Sequence, residues 1–163
     1  MPKPEIQSGV ALRLRPHSKN RLSRYGPLII WAALIFIGSS GLFSASNTSS
    51  FLARLLPNVS ESALGIIHFA IRKATHFTEY AILALLAARA FRTSSRDLLR
   101  TQWFWVSLLL VVVYSLSDEF HQSFVSTRTG SIYDSLIDSA GGLTALILLV
   151  VRQRVRSPRA SAG

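Results

Sequence analysis

Arg72, His76 and Glu79 follow one another at intervals of four and three residues. Tyr114, Asp118 and His121 repeat the interval, and so do Asp134, Asp138 and Gly141. On an α-helix this spacing keeps side chains on one face. Three helices would thus each carry a polar stripe, to which Glu119 adds a further carboxylate. Carboxylates that sit in lipid need partners, and Arg72, Lys73, His76, His121 and Arg128 can supply them. An imidazole beside a carboxylate in a half-dry site can carry a proton. The candidates for such acid–base work are His76, Glu79, Asp118, Glu119, His121 and Asp134. The same groups hold enough nitrogen and oxygen donors for zinc or a harder cation. The His–Glu spacing is not the paired-histidine metalloprotease motif, however, and neither a metal nor another cofactor is assigned. There is no nucleophile elbow and no glycine-rich phosphate loop, which leaves open whether the chain is an enzyme at all. His68 is a lone histidine on an interfacial stretch and His17 lies in a polar tail; neither belongs to a stripe.

The elements that must hold these stripes are apolar. The chain has 163 residues, 49 % hydrophobic and 16 % charged, with a mean hydropathy of +0.34. Its apolar residues come in blocks with the charges between them. The expected class is all-α: a polytopic membrane protein of four transmembrane helices, multi-pass in a cytoplasmic membrane. The first block is Tyr25 to Phe43. A basic stretch before it, with Ser44 and Ser46 after it, also fits a cleaved signal peptide, but its uncharged length suffices to span. A Ser- and Asn-rich linker, 44–60, follows, and then an interfacial stretch, 61–71. The remaining spans are expected at 74–91, 103–122 and 131–151, with a short basic turn at 92–102. Three regions result: a basic cytosolic tail 1–24, a membrane domain 25–151 and a second basic tail 152–163.

A formal charge of +10 would suggest nucleic acid in a soluble protein. Here the basic residues flank apolar blocks and no nucleic-acid module is visible, so no nucleic acid is expected. The N-terminal arm, the turn with Arg92, Arg96 and Arg100, and the tail with Arg152, Arg154, Arg156 and Arg159 alternate with less basic loops. The positive-inside rule then makes both termini cytoplasmic. Trp103, Trp105 and Tyr25 fall at the cytoplasmic boundaries, where amphipathic rings belong. Glu61, Glu79, Asp118, Glu119, Asp134 and Asp138 all map to the outer side. Glu79 and Asp138 lie roughly 8–10 Å inside their helix starts. An unpaired carboxylate at mid-bilayer costs about 2.5–3.5 kcal/mol on insertion scales, so the stripes should face one another. Gly141 and Gly142 would let the last helix approach a neighbour. Interhelical glue would be scattered through depth, whereas this cluster is confined to one leaflet. A transporter would want polar groups continuing inward, and VSLLLVVVYS in the third block offers few.

At these positions the sequence resembles the VanZ-like family of bacterial membrane proteins. The resemblance rests on RKATHFTEYAILALL at 72–86 and SDEFHQSFVSTRTGSIYDSLIDSAGG at 117–142, with WAALIFIGSS at 31–40 as the opening helix. It covers roughly residues 28–150. The family pattern implies a ligand-binding set of Lys73, His76, Glu79, Tyr80, Asp118, Glu119, His121, Gln122, Arg128, Asp134 and Asp138. Two positions depart from it. Ser126 and Thr127 stand where members commonly have Pro and Gly, which predicts a less rigid loop, and Asp138 stands where Asn is frequent. The resemblance implies a bacterial inner-membrane protein of the cell envelope and a link to antibiotic resistance, of the glycopeptide (teicoplanin) type. An outward pocket of this kind suits membrane lipids or a lipid-linked cell-wall precursor as partners.

Overall fold

The computed structural model describes residues 21–39, 54–125 and 130–156. The tails 1–20 and 157–163, residues 40–53 with Ser44 and Ser46, and residues 126–129 with Ser126, Thr127 and Arg128 lie outside the described residues. Those described form α1 (Arg21–Ile37), α2 (Glu61–Arg92), α3 (Asp97–Thr101), α4 (Trp103–Gln122) and α5 (Ile132–Arg156). No strand occurs among them.

The interfacial stretch and the second span are one helix. Ile71, Arg72, Lys73 and Ala74 include no breaker, so α2 runs unbroken for 32 residues. Ser60 caps it by accepting the Ala63 N–H at 3.4 Å. At 1.5 Å per residue α2 is about 48 Å long, well beyond a hydrocarbon core of about 30 Å. The basic turn contains the short α3, where Arg100 pairs with Asp97. α5 continues through Arg152 and Arg154 to Arg156, so the basic residues expected in a tail form its last turns.

α1 contains Pro27, which has no N–H to give the Ser23 carbonyl four residues back. The Arg89 guanidinium from α2 donates to that carbonyl instead, at 3.4 Å. Tyr25 and Ser94 meet at 3.1 Å at the same end, and the Trp31 indole donates to the Glu79 carbonyl at 2.9 Å. These contacts make α1 antiparallel to α2. Tyr114 of α4 donates to the Ala32 carbonyl at 2.6 Å.

The largest interface joins α2 to α5, which run parallel. A Cβ on Gly141 would lie 2.2 Å from the Phe77 carbonyl oxygen, and one on Gly142 would lie 2.7 Å from Val111 Cγ1. Only glycine permits this approach, as the sequence leads one to expect. Below the polar residues the core is apolar: Leu83, Ala84, Ala87, Ala88, Val111 and Leu146 are buried.

Two helices among the described residues, α4 and α5, are long and apolar enough to cross a membrane. Large side chains such as Ile29, Leu109, Leu136 and Leu148 are exposed, while Asp118, Glu119, Gln122, Asp134 and Asp138 are buried. That distribution is the reverse of a water-soluble domain.

Candidate functional site

The buried acids gather where the middle of α2, the last turn of α4 and the first two turns of α5 converge. Lys73 of α2 forms an ion pair with Asp134 of α5, and its ammonium sits 5.1 Å from the centroid of the Phe69 ring. One turn deeper, His76 Nδ1 lies 3.3 Å from Asp138 Oδ1. One turn deeper again, the Tyr80 hydroxyl donates to Asp118 Oδ2 at 3.2 Å, and Gln122 Nε2 donates to the same oxygen at 3.0 Å. Lys73, His76 and Tyr80, three and four residues apart, thus form a ladder of contacts on α2, of which only His76 belongs to the stripe Arg72, His76 and Glu79 expected from the sequence.

Glu119 enters from α4. Its Oε2 accepts the Ser131 backbone N–H at 2.7 Å, which ties the end of α4 to the start of α5. A Cβ at Gly130 would come within 2.4 Å of the Glu119 carbonyl oxygen, so the loop passes close over this helix end. His76, Glu119 and Asp138 each offer a donor atom, all within 4.8 Å of one another.

Several atoms in the cluster have no hydrogen-bond partner among the described residues: His76 Nδ1, Asp118 Oδ1, Glu119 Oε1, Gln122 Oε1 and both oxygens of Asp138. All are acceptors, or in the case of the imidazole nitrogen can be. Arg72 Nε and Nη2 and Ser135 Oγ are without a partner among the described residues as well. Since buried polar atoms are nearly always paired, this concentration marks a place built for a polar group rich in donors that also offers an acceptor.

Of the residues assigned from sequence, Lys73, His76, Tyr80, Asp118, Glu119, Gln122, Asp134 and Asp138 come together here. Glu79 is half-buried on α2. His121 is half-buried too, but turns towards α1, its ring 4.5 Å from that of Phe36. Tyr114 turns the same way, so α4 divides its polar face between α1 and the cluster. Arg128 is outside the described residues. His68 is half-buried in the first third of α2.

Sequence reasoning passed over Ser131, whose contribution is a backbone N–H that no side-chain pattern reveals. It also passed over Ser135, buried one turn before Asp138, although its spacing of three residues from that acid was available. The Ser115 and Ser139 hydroxyls, 3.4 Å apart, extend the polar contact of α4 with α5 one step inward.

No curated protein and no solved structure shows a significant similarity to the chain. The sequence pattern of the VanZ/LLP1 family matches residues 25–153, a stretch that takes in all of α2, α4 and the buried acids. With apolar helices turned outward and polar side chains inward, this chain is a membrane protein, and it belongs to the VanZ/LLP1 family.

Proposed function

We propose that the protein is a multi-pass component of the bacterial inner membrane that binds a donor-rich polar headgroup at the outer-leaflet end of its helices. Such a headgroup, carrying sugar hydroxyls or an amine, belongs to a membrane lipid or to a lipid-linked cell-wall precursor. One observation carries the reading: the unpartnered oxygens Asp118 Oδ1 and Glu119 Oε1, buried together where three helices meet. Five carboxylates (Glu79, Asp118, Glu119, Asp134 and Asp138) stand against the permanent cations Arg72 and Lys73, so acceptors outnumber donors here, and the Arg72 Nε and Nη2 are themselves open to an acceptor group on the ligand. Lys73, Arg72 and Glu79 are only partly buried and form the rim. The outer-leaflet position is supported by the distribution of Lys and Arg along the chain. A link to teicoplanin-type resistance follows if the headgroup is that of a wall precursor, because that antibiotic acts outside the cell.

Native mass spectrometry of the full chain, purified in mild detergent, tests the reading. The native chain is expected to retain one lipid of defined headgroup, and Asp118→Asn or Glu119→Gln to lose it by on the order of tenfold, as removal of a buried charge-assisted hydrogen bond predicts. A native chain that carries only bulk lipid, or variants that retain the same lipid unchanged, would overturn it.

The contact of His76 with Asp138 favours a second reading, an intramembrane enzyme acting on that headgroup by acid–base chemistry. In that case Asp138→Asn retains the lipid and abolishes its turnover. Loss of binding and turnover in step would leave the binding reading alone.

A further inference from the structure

We infer that His76, Glu119 and Asp138 form a binding site for one divalent transition-metal ion, of the zinc or manganese class. The inference rests on the geometry of these three side chains; it assigns Glu119 Oε1 to the ion and leaves Asp118 Oδ1 to a headgroup bound beside it.

Asp138 is wholly buried, Glu119 is 5 % exposed and His76 is 8 % exposed. They come from three different helices, yet their donor atoms fall within 4.8 Å of one another. Two ligands bound at about 2.1 Å in a tetrahedral shell lie about 3.4 Å apart. His76 Nδ1 and Asp138 Oδ1 are separated by 3.3 Å.

That contact is an imidazole–carboxylate pair whose alignment falls short of a well-formed hydrogen bond. Both atoms lack a hydrogen-bond partner among the described residues, and so do Asp138 Oδ2 and Glu119 Oε1. One imidazole nitrogen and two carboxylates therefore converge on a common point, with no donor between them other than the proton the imidazole can carry, and a metal ion would take that proton's place. A cation placed there would satisfy them together.

The surroundings fit this role. Lys73 is engaged by Asp134, one turn away, and its charge is already balanced. The Ser131 N–H holds the other oxygen of Glu119, which orients the carboxylate in the way outer-shell partners of metal ligands do. The close seat of Gly141 on α2 fixes the distance between His76 and Asp138.

The donor types narrow the ion. One imidazole favours a transition metal over magnesium or calcium, and two carboxylates with no thiolate disfavour copper(I). With three protein ligands the shell stays open for one more group, as in sites that act on a bound molecule.

The full chain, purified in detergent and stripped with a chelator, can be titrated with Mn²⁺ or Zn²⁺ alone. One ion per chain is expected, with ¹⁴N coupling in the pulsed electron-spin-resonance spectrum of the Mn²⁺ form. That signal reads imidazole ligation in the unaltered protein and needs no variant to fold. His76→Ala, Glu119→Gln and Asp138→Asn should each weaken binding by at least the 10–100-fold seen for lost outer-shell partners. His68→Ala should leave it unchanged. Absence of stoichiometric binding, absence of nitrogen coupling, or equal affinity in the His76 and His68 variants would overturn the inference. Lipid retention measured on the stripped and the loaded protein separates this outcome from that of the headgroup reading.

Discussion

Asp118 receives two donors on one oxygen, from Tyr80 and Gln122, and none on the other. The pair of donors holds the carboxylate still while its second oxygen stays open. Tyr80→Phe removes one donor from a buried charged group, at a cost of about 1.5–3 kcal/mol. A denaturation series in mixed micelles should show that loss, and Tyr133→Phe, at an exposed position, should show none. About half of this site was readable from spacing, while Tyr80 and Gln122 entered only through the family resemblance. The interval of four and three placed His76, Asp118, Asp134 and Asp138 inward because charge in lipid must turn towards other protein. What the interval could not divide was the face of α4. Asp118 and His121 share it by spacing, but the helix lies between α1 and the α2–α5 pair, and each neighbour takes one of the two side chains. Glu119, off the stripe by periodicity, reaches the cluster because the chain turns back over it at Gly130 and Ser131.

At the scale of the helices, the α2–α5 pair decides the arrangement. Gly141→Ala puts a methyl carbon against the Phe77 carbonyl, a backbone atom that cannot yield. Overpacking of this kind costs about 1–3 kcal/mol or more, and here it should also separate His76 from Asp138. Gly65→Ala is the matched control. Nothing lies within 4 Å of its Cβ, and the gain in helix propensity is about 1 kcal/mol. Opposite shifts of the unfolding midpoint would confirm both. The sequence suggested a small-residue seat on this helix but not its partner, since no pattern says which backbone a glycine will meet. It likewise divided α2 in two, because hydropathy falls through Arg72 and Lys73. Hydropathy reports where lipid ends; helix propensity decides where the helix ends. The Arg89–Ser23 contact also escaped it. The proline is visible in the sequence, but the guanidinium that answers the orphaned Ser23 carbonyl comes from 66 residues away.

Over the whole molecule, α1 and α4 run one way and α2 and α5 the other, so the amino end of α1 and the carboxyl end of α5 fall on the same side. The proposed cytoplasmic placement of both ends has a direct check. A fluorescent reporter fused after Gly163 should mature, and alkaline phosphatase fused there should stay inactive; the reverse pair of results would invert the protein. That the helices would gather around their acids was legible from charge distribution alone, because the cost of stranded charge leaves few alternatives. The seat of Gly141 on the Phe77 carbonyl has a mechanical consequence. It behaves as a detent: a slide of α5 along α2 by one helical turn would press a side chain into that oxygen. The spacing of the acidic groups is therefore indexed by steric exclusion and not by their own attraction. Neutralising one of them changes the chemistry of the site while leaving its dimensions in place.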